Sequence, residues 1–197
     1  MDDINNKTKD MKIQQRRAAL AARAALSPEL RASYSAAICD EIAKMPWVKA
    51  ARTVLSYRAT STETDPAALD AALAARGAEI YYPLCNEDGS MSAVRPLSDD
   101  AWRKSALGIW EPVLEHSQVI APGELELVIV PCVAFDAQCA RLGRGAGFYD
   151  RFLPLCDSAF AVCPAFELQK LEHVITDERD YKVDAVISEC ARYTRTR

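Results

Sequence analysis

The sequence predicts an α/β fold around a largely parallel sheet, and three observations carry that prediction. Short β-type runs alternate with helical segments, the pattern left by strands joined through helical crossovers. The best strand, Leu127 to Val133, opens with the unbroken apolar run Leu127-Val128-Ile129-Val130, which implies burial on both faces. No internal repeat or low-complexity linker interrupts the 197 residues, a length suited to one domain. In such a sheet, ligands gather at the carboxyl ends of the strands.

Residues 1–10 are polar and read as a disordered tail. Met11 to Leu26 is rich in good helix formers and reads as a helix. At ~100° per residue, Lys12, Arg16 and Arg23 fall within about 40° of one another, beside a separate apolar face of Ile13, Leu20 and Ala24. Taken alone, such a ridge reads as a solvated charged face. Ser27-Pro28-Glu29 is a helix start, with Ser as N-cap, Pro at the first turn and an acid behind it. Leu30, Tyr34, Ile38, Ile42 and Met45 then form one apolar stripe, which should stop before Pro46. Thr53 to Tyr57 is a β-type run. Asp65 to Arg76 is helical, closed by Gly77, and Glu79 to Tyr82 is a strand ended by Pro83. Met91 to Arg95 reads as another strand, and 98–124 as irregular chain. A Gly-rich segment at 143–147 leads into a helix from Phe148 to Leu153. Phe160 to Cys163 and Val183 to Ile187 complete the strands. This organisation makes one domain over 11–190, flanked by the 1–10 tail and a basic tail at 191–197.

Half the residues are hydrophobic, 26% are charged and the formal net charge is -4, the composition of a soluble globular protein. An acidic balance gives no global field for nucleic acid. The N-terminus lacks the basic and apolar regions of a secretory signal, and no apolar run reaches the ~20 residues that span a bilayer. The seven cysteines include no CxxC pair. They read as reduced, mostly buried thiols in a cytoplasmic protein.

The segment that carries chemistry is Arg141-Leu142-Gly143-Arg144-Gly145-Ala146-Gly147-Phe148-Tyr149-Asp150. Glycine permits positive φ and close backbone approach. Successive N–H groups can then converge on an anion, aided by the helix that starts just after. Arg141 and Arg144 offer forked donors to phosphate oxygens. Asp150 is a hard carboxylate suited to Mg²⁺. The spacing is GxGxG, neither a Walker A loop nor GxGxxG. On spacing alone, a tight turn leading into a helix fits equally well.

The whole stretch resembles the signature R-L-G-[R/Y]-G-x-G-[Y/F]-Y-D of the 5-formyltetrahydrofolate cyclo-ligase family. The resemblance continues in order along the chain. Lys12 and Arg16 match K-x-x-x-R, and Glu63-Thr64-Asp65 with Leu69 matches E-x-D-x-x-x-L. Gly108-Ile109-Trp110-Glu111-Pro112 resembles G-I-x-E-P, and Leu127 to Asp136 resembles a strand ending in P-x-x-x-F-D. Phe166 with Gln169 and Asp180 to Asp184 are similar to F-x-x-Q and D-x-x-V-D.

The resemblance implies a three-layer α/β/α sandwich like those of sugar-phosphate isomerases and CoA transferases. It implies cyclisation of 5-formyltetrahydrofolate to 5,10-methenyltetrahydrofolate with ATP as co-substrate, Mg²⁺ as cofactor and a phosphorylated formyl intermediate. Lys12, Arg16, Arg141, Leu142, Gly143, Arg144, Gly145, Ala146, Gly147, Phe148 and Tyr149 would bind ATP. Arg144 and Tyr149 would be catalytic, and Asp150 and Asp180 would hold the metal. Leu55, Glu63, Arg144, Gly145, Ala146, Gly147 and Phe148 would contact the folate. Partners would be small molecules, with no nucleic acid or membrane, and the protein a monomer. Cys132 and Cys139 stand where the family usually has glycine, and Arg179 where it commonly has histidine. These departures leave open a divergent paralogue acting on another folate-like or phosphorylated metabolite. A remoter alternative is an RNA-binding module using Arg141, Arg144, Arg151, Arg192, Arg195 and Arg197.

Overall fold

The computed structural model describes residues 2–98, 100–104 and 110–195. Its first helix, α1, spans Asp2–Ala24. Residues 2–10 are therefore helical and not a disordered tail, since no proline or glycine interrupts the run. Ser27 caps α2 (Pro28–Ala43): its Oγ accepts the Leu30 N–H at 3.2 Å. The chain breaks before Pro46 as expected, but Pro46 opens a further short helix, α3 (Pro46–Ala50). Of the stripe expected on this segment, Ile38, Ile42 and Met45 are buried, whereas Leu30, in the first turn of α2, faces solvent.

Strand β1 (Thr53–Leu55) leads through a loop to α4 (Ala67–Ala74), and β2 (Glu79–Cys85) returns parallel to β1. Pro83 does not end β2. The β1 ladder stops at Leu55↔Tyr81, so beyond Tyr81 no β1 partner requires a proline N–H. Antiparallel β3 (Met91–Pro96) follows. The stretch expected to be irregular folds instead into β4 (Trp102–Lys104), β5 (Trp110–Pro112) and β6 (Ser117–Ile120). Gly108 and Ile109 of the G-I-x-E-P match lie outside the described residues. Then come β7 (Leu127–Ile129), a hairpin of β8 (Ala134–Phe135) and β9 (Arg141–Leu142), and α5 (Phe148–Phe152). The chain finishes with β10 (Phe160–Pro164), β11 (Ala185–Ile187) and β12 (Arg192–Thr194). The supposed C-terminal tail thus supplies an edge strand.

Among the described residues the central sheet has eight strands in the order β12-β11-β10-β7-β1-β2-β3-β6. The five from β11 to β2 run parallel, and antiparallel strands finish both edges. This is the α/β architecture with a largely parallel sheet that the sequence predicts. Both faces are covered, as the apolar run in β7 requires. Leu127 and Ile129 pack with Ile38, Ile42, Leu69 and Leu73 of α2 and α4. Val128 and Val130 point the other way, into a cluster with Phe135, Phe152 and Leu153.

After β1 the chain moves towards β2, and after β7 it moves the opposite way to β10 and β11. The switch point lies between β1 and β7, so their carboxyl ends open a crevice. The loops that follow these strands supply the site.

Helix α1 lies across this edge with its faces reversed from expectation. Ile13 and Leu20 are exposed, while Lys12, Ala19 and Arg23 are buried. Ala19 packs on Val133, Ala134, Ala140, Leu142 and Val174, small enough to bring the helix close. The cationic ridge faces inward because the edge offers acceptors: Arg16 Nε donates to Gly143 O at 2.8 Å and Arg23 Nη1 to Cys132 O at 3.2 Å. Gln15 completes the docking. Its amide donates to His173 O at 2.7 Å and accepts the Ile175 N–H at 3.0 Å.

Candidate active site

The Gly-rich turn starts at the end of β9 and reaches α5. Gly145 and Gly147 adopt φ of +109° and +71°, the left-handed region that favours glycine. A side chain at Gly145 would meet the Arg16 guanidinium at 3.5 Å. Helix α5 has only five residues. Its dipole therefore adds less than the sequence reading supposed, and the turn's backbone and arginines carry the positive character.

Besides Arg151, which donates to Ala146 O, three arginines surround the turn, in different states. Arg141 is buried, and its Nη2 donates to Asp150 Oδ1 at 2.8 Å. Asp150 Oδ1 also accepts the Tyr181 N–H at 3.2 Å, which brings the loop of Asp180 beside Asp150. Arg16 holds the turn through Gly143 O. Arg144 is half-exposed and crosses the crevice to the loop after β1. Its Nη2 donates to Glu63 Oε1 at 2.8 Å and to Thr60 Oγ1 at 2.9 Å.

Glu63 is buried, and its Oε2 accepts the Thr60 N–H at 2.8 Å. Burial opposes its charge, but that N–H and the guanidiniums of Arg144 and Arg23 outweigh burial and hold the carboxyl below its usual range. The opening of α4 is served by Asp65, whose Oδ1 accepts the Ala67 N–H at 3.0 Å.

On the other side of the turn, Lys12 Nζ lies 2.8 Å from Asp177 Oδ2 and 2.5 Å from Asp180 Oδ2. Burial disfavours its charge, yet the two carboxylates prevail and raise its pKa. Tyr149 presents a phenol oxygen that is buried with no hydrogen-bond partner among the described residues, and burial pushes its pKa upward.

The structure thus brings together Lys12, Arg16, Arg141, Gly143, Arg144, Gly145, Gly147, Tyr149, Asp150, Asp180 and Glu63. Phe148 is half-buried beside them, and Ala146 O accepts from Arg151 Nη2 at 3.0 Å. Two expected ligand contacts are placed differently. Leu55 is fully buried in the sheet's core, and Leu142 is buried under α1, so neither side chain presents surface to a ligand. Thr60 and Asp177 went unnoticed in the sequence. A second acid three residues before Asp180 was the one available signal for Asp177, whose own N–H donates to Asp180 Oδ2 at 2.6 Å.

The arginines proposed for RNA are engaged within the protein. Arg151 donates to Gly89 O at 2.7 Å, Arg192 pairs with Glu41, and Arg195 pairs with Asp184 at 3.5 Å; Arg197 lies outside the described residues. Gln169 of the F-x-x-Q match is structural, since its amide donates to Cys132 O and Val133 O at 3.1 and 2.9 Å. Cys139 holds φ +60°, a backbone that suits the glycine usual there. His116 and His173 are exposed, and five of the seven cysteines are buried. No helix among the described residues is long and apolar enough to cross a membrane.

A cavity of about 1000 Å³ meets the turn at Arg144 and is lined also by Arg58, Thr60, Asp70, Tyr82 and Trp110. Burial lifts the Asp70 carboxyl to about 6, against the hydrogen bond it accepts from Tyr82. A folded pKa above the unfolded value means that the stability this one group contributes is fully present below about pH 4 and is lost as pH rises through about 6. By linkage the cost above pH 6 is about 3 kcal/mol. Asp70→Asn is therefore expected to melt several degrees above wild type at pH 8, with the gap closing near pH 4. Melting curves at the two pH values check this; an equal gap at both would remove the carboxylate as its source.

Fold and site together define an α/β protein whose sheet edge carries an arginine-and-glycine turn fit for phosphate groups. A model of the 5-formyltetrahydrofolate cyclo-ligase family matches residues 8–189. The chain belongs to that family and is an enzyme of folate one-carbon metabolism. It is similar to a 5-formyltetrahydrofolate cyclo-ligase of Haemophilus influenzae, 31% identical over 134 residues, 66% of this chain and 72% of that one. The Escherichia coli K12 protein of the same name is 29% identical over 170 residues, 84% of this chain and 93% of the relative. The solution structure of Aquifex aeolicus 5,10-methenyltetrahydrofolate synthetase superposes with a TM-score of 0.81 at 29% identity, covering 93% and 92% of the two chains.

Proposed function

We propose that this enzyme cyclises 5-formyltetrahydrofolate to 5,10-methenyltetrahydrofolate with ATP and Mg²⁺, releasing ADP and phosphate. The observation that carries the reading is the Arg144–Glu63 pair. It joins the Gly-rich turn to the loop after β1 and stands at the mouth of a cavity of folate size.

A formamide oxygen is a poor leaving group. In the proposed course it takes the γ-phosphoryl group of ATP with release of ADP, N10 then attacks the activated formyl carbon and gives up its proton, and the ring closes as hydrogen phosphate departs carrying that proton. Such transfer needs positioning and charge neutralisation more than covalent help. Lys12, Arg16 and the turn's N–H groups bind the triphosphate. Arg144 reaches the transferring phosphoryl group and the folate together, because its partner Glu63 lies on the substrate side and accepts pterin N–H groups. The Tyr149 hydroxyl, without a partner among the described residues, is a donor for substrate or phosphate.

The carboxylates suit magnesium, which asks for one or two protein oxygens beside phosphate and water. Asp150 Oδ2 and Asp180 Oδ1 accept no hydrogen bond from the described residues. Held by Asp150 and Asp180, the ion would neutralise phosphate charge. Purified protein given ATP, Mg²⁺ and 5-formyltetrahydrofolate is expected to develop the near-UV absorbance of the methenyl product, with ADP formed in step. Folded protein that gives no ATP-dependent signal would overturn the proposal; ADP release with another folate-like substrate alone would point to the paralogue.

A further inference from the structure

We propose that Asp177 makes this site discriminate magnesium-bound nucleotide from free nucleotide, by holding Lys12 until a cation relieves Asp180. The inference rests on the nucleotide and metal reading given above, and it concerns a residue that reading leaves without a task.

One buried lysine is shared by two carboxylates. Lys12 Nζ is within hydrogen-bond distance of both Asp177 Oδ2 and Asp180 Oδ2, and it is only 8% exposed. The trio sums to one negative charge. Arg179 tempers it from the solvent side, with Nε 3.2 Å from Asp177 Oδ1 and a side chain 78% exposed. Asp180 Oδ2 is doubly engaged, since it also accepts the Asp177 N–H.

Consider a triphosphate arriving without a metal. To engage Lys12 it must draw Nζ away from two acids, leaving Asp180 without its ion-pair partner and Asp177 with only the exposed Arg179. It must also approach their negative charge. A triphosphate arriving with its cation meets a different balance. The cation gives Asp180 a new counter-ion, so Lys12 turns to phosphate while answering to one acid. Specificity is a difference between two binding free energies. The negative charge of Asp177 weighs against the free nucleotide far more than against the magnesium complex.

Calorimetric titration of ATP into the intact protein, in EDTA and in excess Mg²⁺, tests this through binding alone. Wild type should bind the magnesium complex more tightly. Asp177→Asn should tighten magnesium-free binding about fivefold, as expected for removal of one nearby, partly screened charge, and leave the magnesium complex within about twofold. Arg179→Ala should do the reverse, weakening magnesium-free binding about twofold and widening the ratio. An unchanged ratio in Asp177→Asn overturns the proposal. So does an equal loss of both affinities, which would make Asp177 a plain support for Lys12. Should Asp177→Asn fold poorly, Arg179→Ala on its exposed side chain decides alone. If wild type binds neither form, the nucleotide reading itself fails, whereas wild-type discrimination that survives both substitutions sinks only the role of Asp177.

Discussion

Arg144→Ala is expected to lower kcat/KM about a hundredfold, the loss of about 3 kcal/mol that follows removal of a preorganised charge at a reacting group. The side chain is half-exposed and among the described residues it bonds Glu63 and Thr60; because Glu63 is buried, stranding its carboxylate should also lower the melting temperature by several degrees, so kcat/KM is compared on folded protein. Arg144→Lys should recover a minor part, because an ammonium keeps the charge but not the fork that spans both partners. The pH profile offers an independent reading. Burial pushes the Glu63 carboxyl up, and the Thr60 N–H, Arg144 and Arg23 bring it down. Without Arg144 the carboxyl should titrate higher, and the acid limb of kcat/KM should shift upward with it. Tyr57 and Tyr149, which also face Glu63, remain neutral across that range because burial raises both. Steady-state kinetics from pH 4 to 9 check both points; wild-type kcat/KM in Arg144→Ala would remove the residue from the chemistry.

The second large effect concerns stability. Arg141→Ala leaves Asp150 with a single N–H donor among the described residues, in a place where its carboxylate is about four-fifths buried. Breaking one side of a buried pair costs about 3 kcal/mol, which for a domain of this size lowers the melting temperature by roughly 10 °C. The double variant Arg141→Ala, Asp150→Asn should recover part of the loss, because the stranded charge is gone. Thermal melts of the three variants test the coupling; additive losses would show that Arg141 contributes by packing alone.

Much of this was legible in the sequence, for identifiable reasons. The β7 run reads as a doubly covered strand because its apolar residues do not alternate, and the neighbours on both faces bear that out. Ser27-Pro28 marks a helix start through local capping, which needs no tertiary knowledge. The arginine-and-glycine turn was visible because its residue types are themselves the chemistry. What failed was reading faces by polarity. In α1 the expected packing stripe is exposed, while Lys12 and Arg23 are buried and Arg16 is half-buried, because acceptors for them come from residues 132, 143, 177 and 180. No local window contains that information. Leu55 failed for the same reason in reverse, since its depth in the core depends on both flanking strands and the cluster beneath them.

The docking of α1 carries a consequence for biosynthesis. Lys12 meets its carboxylates across 165 and 168 positions of chain, and Gln15 is clasped by residues 173 and 175. A polypeptide emerging from the ribosome therefore holds its first helix without a berth until residues 132–143 have followed, and without its last clasp until residues 173–180 have. Contacts so distant in order form late and slowly. Nucleotide capture should accordingly appear only with the last stage of maturation, and a nascent chain halted ahead of Asp180 should be unable to consume ATP.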